Sequence, residues 1–172
     1  YFRLKDQTIQ QNSHQLAQIE ELVKNSLETI DKAYYLFDQE TAVQMRQYSE
    51  YLLDLYEQNP NFETWDFNRL QEELGMDIYI INQQNVIAHS SVISDIGLDF
   101  NRCCTTLARL LDERRATGEF YHDGIDLEQS TGEIKKYSYM ATKDKQYMIE
   151  LGYALEEDII FKEFNFKNVI NE

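Results

Sequence analysis

Apolar residues in the first part of the chain recur at helical spacing. Leu16, Ile19, Val23, Ile30, Ala33 and Phe37 form one stripe, with Leu27 and Tyr34 beside it. Neither Gly nor Pro interrupts the stretch from about Lys5 to Phe37, so the pattern predicts one long amphipathic helix. Such a helix is on the order of 50 Å long, whereas a domain of this size is only roughly 35–40 Å across. Part of it must therefore project or pack against another copy. Asp38, or alternatively Thr41, caps a second helix built on Met45, Tyr48, Leu52 and Leu55, and Pro60 ends it. A short third helix runs from about Trp65 to Leu74, with Thr64 or Asp66 at its start and Gly75 at its stop.

The period then changes to that of strands. "DIYII" and "VIAHSS" flank the polar run "NQQN" and predict a hairpin. "SDIGLDF" is irregular, with Asp99 able to cap the next helix. "FNRCCTTLARLLDERRATG" is that crossover helix, stopped by Gly118. Three strand candidates come next: "EFYHDGIDL", then "GEIKKYSYMAT" and "QYMIELGYAL" joined by "KDK". The end of the chain returns to helix. This order is α+β, with a mainly antiparallel five-stranded sheet and a crossover helix. It divides the chain into three regions: residues 1–75, helical; residues 76–158, the sheet domain; and residues 159–172, a terminal helix.

Composition narrows the function. The chain has 172 residues and a formal net charge of −15, which argues against a nucleic-acid surface because phosphate contacts need clustered Lys and Arg. No apolar run reaches the roughly 18 residues that span a bilayer. The polar start argues against a signal peptide, and its first residue is not Met, which favours a fragment of something longer. Cys103 and Cys104 are neighbours, about 100° apart on a helix, so the expectation is one small buried residue and one incidental thiol, with no disulfide framework. Motifs for nucleophilic, metal-dependent or phosphate-loop enzymes are absent. His14, His89 and His122 are too scattered for a metal site. No cofactor is expected.

Two strands, a helical crossover and three more strands is the order of PAS-like sheets. "DIYIINQQNVIAHSS", "SDIGLDF" and "TGEIKKYSYMATKDKQYMIELGYAL" resemble segments of the extracellular Cache (PAS-like periplasmic) sensor family. The turn "NQQN" lacks the Gly usual there. The resemblance covers about residues 5 to 160. It implies a single Cache sheet behind a long N-terminal helix, on the outer side of a cell membrane. It also implies flanking membrane segments and a cytoplasmic effector: a histidine kinase, diguanylate cyclase, chemoreceptor or phosphatase module. The implied partners are a small ligand (an amino acid, carboxylate or amine) and a second copy joined through the N-terminal helix. A dimerisation domain without ligand and a cytosolic PAS domain are the rival readings.

The resemblance also implies a ligand position, between the sheet, the crossover helix and the loop before it. Strand alternation sends Tyr137 and Tyr139 to one face and Lys136 and Ser138 to the other. The tyrosines either line an aromatic pocket or, on the plainer reading, pack on the long helix. His89 and Ser91 are expected at the pocket mouth, with Tyr121 and Asp123 supplying an aromatic wall and an acceptor. Arg102 either meets a ligand carboxylate or pairs with Asp95 or Asp99. Glu150 is either a solvent-facing partner of Lys136, the favoured placement, or a buried carboxylate that fixes an amine.

Overall fold

A computed structural model describes residues 2–127 and 133–155, with side chains from Ile9 to Asp126 and from Glu133 to Leu155. The expected terminal helix at 159–172 lies outside the described residues. One helix, α1 (Phe2–Gln58), replaces the two that the sequence suggests. No Gly or Pro precedes Pro60, so nothing breaks the helical hydrogen bonding at Asp38. Asp38 does not cap a helix; its carboxylate accepts a bond of 2.6 Å from Lys136 Nζ. Thr41 is buried inside the helix rather than at its start.

The chain divides into two units at Phe37 and Asp38. In the first, the described part is the opening length of α1, where Leu16, Ile19, Val23 and Leu27 are each more than half exposed. The second holds every other described element. There α1 ends before Pro60, and a 3-10 turn (Phe62–Thr64) leads to α2 (Phe67–Leu74). Asp66 caps α2 by accepting from the Arg69 amide, and Gly75 closes it in the left-handed conformation at φ 67°.

The strands are β1 (Asp77–Ile81), β2 (Ile87–Ser90), β3 (Tyr121–His122), β4 (Asp126–Leu127), β5 (Ile134–Ala141) and β6 (Met148–Leu155). All pairings are antiparallel, and the order is β2-β1-β6-β5-β3, with β4 also on β5. The expected third strand is thus split in two along one edge of β5, interrupted around Gly124. This is the predicted α+β architecture with a sheet five strands wide.

Between β2 and β3 run a 3-10 turn (Ile93–Asp95), α3 (Phe100–Cys103) and α4 (Thr105–Thr117). Asp99 caps α3 through the Asn101 amide. The single predicted crossover helix is broken at Cys104, whose backbone lies at φ −151°, ψ 65°. The break also corrects the reading of the cysteines. In an unbroken helix the two thiols diverge, but here Cys103 and Cys104 are joined in a disulfide.

The hairpin turn is built without the glycine its position invites. Asn85 takes φ 60° itself, and Asn tolerates this region better than most residues. Its buried amide then ties the turn to α4. Nδ2 donates to Asp112 Oδ1 at 2.9 Å, and Oδ1 accepts from Arg115 Nη2 at 2.7 Å. Arg115 also donates to the Asn82 carbonyl at 3.0 Å, so the crossover helix is fastened to the first hairpin.

The sheet has two unlike faces. Ile78, Ile80, Ile149 and Leu151 point to α1 and α2, where Met45, Leu52, Phe62 and Trp65 complete a dry core. Burying each such side chain contributes roughly 1.5–3 kcal/mol. Tyr79, Ile81, Tyr139 and Met148 point the other way, toward Phe100, Ala108 and Leu111 of α3 and α4.

Candidate functional site

On this second face lies a cavity of about 350 Å³. Its floor is the sheet: Tyr79 from β1, Tyr137 and Tyr139 from β5, and Glu150 from β6. Its roof is Asp95, Leu98, Phe100 and Leu107, and Asp123 stands at the sheet edge. Register brings the floor together. Glu150 of β6 pairs with Tyr79 on one side and Tyr139 on the other, so all three side chains project to the same face. Gly152 makes room beside them. A Cβ there would come within 3.0 Å of the Tyr137 ring and 3.4 Å of the Tyr79 ring. The two rings lean across the strand because no side chain stands between them.

Electrostatics single out Glu150. It is 5% exposed, and among the described residues no cation pairs with it. Burial pushes its carboxyl up to about 7; the neighbouring Asp123 and Asp95 add to the rise, and a hydrogen bond with Tyr139 opposes it. Burial likewise raises the phenols of Tyr79 and Tyr139 well above the ordinary tyrosine range, with nearby acidic groups adding to the effect. Arg114 closes one side. Its Nη2 donates to Asp123 Oδ1 at 2.7 Å, and its guanidinium lies 5.0 Å from the Tyr139 ring centre and 5.1 Å from that of Tyr121.

Three expected residues, Asp123, Tyr137 and Tyr139, therefore line the cavity. The tyrosines face away from α1, against the plainer reading of them. Tyr121 stands beside the cavity under Arg114, its hydroxyl 2.8 Å from Thr117 Oγ1. Glu150 is buried rather than solvent-facing.

His89, Ser91 and Arg102 lie elsewhere. The pairing of β1 with β2 shifts between Ile80 and Ile81, so that Ile80 meets His89 but Ile81 meets Ile87. Ala88 is the extra residue of a bulge, and beyond it the alternation is reversed. His89 therefore joins the dry-core face, with its ring 5.3 Å from that of Phe62 and stacked 6.2 Å from that of Phe67. Ser91 Oγ accepts from the Ile78 amide at 2.9 Å and serves the strand end. Arg102 has a side chain 90% exposed and reaches Asp99 at 3.7 Å, the rival placement for it.

On the opposite face a buried polar cluster backs the cavity wall. Lys136 is fully buried, and its ammonium donates to Asp38 Oδ1, to the Asp123 carbonyl at 2.6 Å, and to His122 Nδ1 at 3.0 Å. Burial and the Lys136 charge lower the His122 pKa, which keeps its ring neutral and able to accept. Asp123 thus joins the two sides: its carboxylate lines the cavity while its carbonyl is held by the lysine bonded to α1.

No protein-family profile matches the sequence, and no curated protein matches it. Among the described residues no helix is long and apolar enough to cross a membrane. Two solved structures show partial likeness. The Bacillus subtilis YkuI protein, with an EAL domain and in complex with substrate c-di-GMP and calcium, matches over 82% of this chain and 37% of its own, at 15% identity and TM-score 0.47. This chain therefore spans little more than a third of that structure. The E. coli DcuS sensor domain matches over 80% of this chain and 98% of its own, at 13% identity and TM-score 0.37. With scores this low, the fold description stands on the strand order and register of this chain alone.

Proposed function

We propose that this chain is a ligand-sensing input domain of a membrane signalling receptor, on the outer side of the membrane, and that it is not itself an enzyme. The observation that carries the reading is the cavity between the sheet and the crossover helices, with apolar and aromatic walls and a few convergent polar groups. The resemblance of the strand and helix order to Cache sensors supports the receptor setting. Flanking membrane segments and a kinase, cyclase, chemoreceptor or phosphatase effector belong to the same reading.

Pairing of two copies through α1 is part of the proposal. Leu16, Ile19, Val23 and Leu27 form an exposed apolar stripe at helical spacing, as a partner helix requires. A ligand transmits a signal only if it favours one helix arrangement over another. The route would run from Asp123 through Lys136 to Asp38 on α1.

A thermal-shift panel of amines, carboxylates and amino acids tests the reading. Stabilisation by one class, lost in Tyr137→Ala, is the expected outcome. No response to any member would leave the domain with a dimerising role alone.

A further inference from the structure

Resting on that reading of the cavity, we infer that its ligand carries a cationic ammonium group, held by Glu150 and Asp95 and enclosed by the rings of Tyr79, Tyr137 and Tyr139. A buried carboxylate without a counter-charge is costly, and proteins rarely keep one unless something pairs with it. Glu150 is such a group, and the half-buried Asp95 beside it has no ion-pair partner among the described residues. The nearby cation, Arg114, is already engaged by Asp123.

The three classes of small ligand fare differently here. An anion would meet three carboxylates in a confined space, two of them uncompensated. A neutral molecule would leave Glu150 as it is. An ammonium group supplies the missing charge, and the tyrosine ring faces attract it as well. A metal ion fits poorly, because among the described residues no group of three acidic, His or Cys side chains is placed to hold one. The volume, about 350 Å³, suits a molecule of a few heavy atoms beyond its head group. A net charge of −15 draws cations toward the domain before contact.

Protonation adds a distinguishing signature. Glu150 is faced by Tyr79 from β1, Tyr137 and Tyr139 from β5, Asp95 from the 3-10 turn, and Asp123 beyond β3, with Arg114 of α4 behind Asp123. In the empty cavity its carboxyl is pushed up to about 7, so near neutrality much of it holds a proton. An arriving ammonium favours the carboxylate, and the proton leaves to solvent. Binding therefore releases a proton, and affinity falls about fivefold over the first pH unit below that value and about tenfold for each unit further down.

Calorimetric titration of the domain with butylammonium, butyrate and butanol at pH 6, 7 and 8 tests this. The expected result is binding of butylammonium alone, about fivefold weaker at pH 6 than at pH 7, with heats that vary with buffer ionisation as proton release requires. Glu150→Gln should weaken it at least about tenfold and flatten the pH dependence. Asp95→Asn, outside the core, should weaken it less and keep the pH dependence. Preferential binding of butyrate, or butylammonium binding unaltered in Glu150→Gln, overturns the ammonium assignment while leaving the cavity a ligand site. A hit in the wider panel that lacks an ammonium group, with butylammonium silent, does the same. Silence across the whole panel overturns both readings.

Discussion

The two faces of the sheet are made by the same strands and obey opposite rules. Along β6, Ile149 and Leu151 enter the dry core while Glu150 floors the cavity and Gly152 leaves room for the rings of Tyr137 and Tyr79. Along β1, Ile78 and Ile80 alternate with Tyr79 in the same way. The first face is closed by α1, the 3-10 turn and α2, which present Met45, Leu52, Phe62 and Leu70 to one continuous core. The second is covered by a turn and two helices, one of only four residues, which pack less completely and leave space. Stability is thus concentrated on one side of the sheet and chemistry on the other.

Substitutions can break this division, the most damaging first. Lys136→Met leaves the Asp38 carboxylate, whose side chain is 18% exposed, without its cation. The expected loss is about 3–5 kcal/mol in urea unfolding at pH 7, with part of it recovered when Asp38→Asn is added. Ile149→Ala opens a void in the dry core and should cost about 2–5 kcal/mol. Tyr137→Ala, on the other face, removes a half-buried side chain that already borders empty space and should cost below about 2 kcal/mol. A larger loss for Tyr137→Ala than for Ile149→Ala would erase the contrast between the faces.

Smaller effects sharpen the picture. Tyr56 hydroxyl donates to Asp144 Oδ2 at 2.7 Å, joining α1 to the β5–β6 turn, so Tyr56→Phe should cost about 1–2 kcal/mol. For Asp144, burial works against ionisation but is outweighed by bonds from Thr142, Tyr56 and the Gln146 amide, so its pKa lies below the ordinary value. The benefit of Tyr56 should then be present at neutral pH and disappear as acid protonates Asp144. Glu150 runs in the opposite sense. Its folded carboxyl lies at about 7 against an ordinary 4.5, so the folded state keeps a proton that the unfolded chain has released. Its contribution is complete below about pH 4.5 and is lost as pH rises through 7. Compared by thermal melts from pH 4 to 8, wild type should lose this increment while Glu150→Gln does not.

Much of this architecture is legible in the sequence, because period and punctuation act locally. The strand pairs around "QQN" and "KDK", the caps at Asp66 and Asp99, and the stops at Gly75 and Gly118 all depend on neighbouring residues. Alternation alone places Tyr137 and Tyr139 together on one face. The features that escape the sequence need information from distant parts of the chain. Asp38 has the chemistry of a cap, but Lys136, 98 residues away, claims it. Glu150 looks like a surface acid until the register sets it between Tyr79 and Tyr139. Tyr79 is concealed inside "DIYII", although its position between two core isoleucines is the available signal. Arg114 gives no comparable signal, since its role depends on the edge where Asp123 sits. His89 departs from simple alternation because a bulge leaves no mark in composition.

The extra residue at Ala88 gives the hairpin slack. Removing that one alanine would leave Ile87 opposite Ile81 and His89 opposite Ile80, now as direct neighbours in an unbroken ladder. The imidazole would keep its place among the phenylalanines, on the side away from the tyrosines. A one-codon deletion here should therefore straighten the strand without carrying any side chain beyond it to the other face of the sheet.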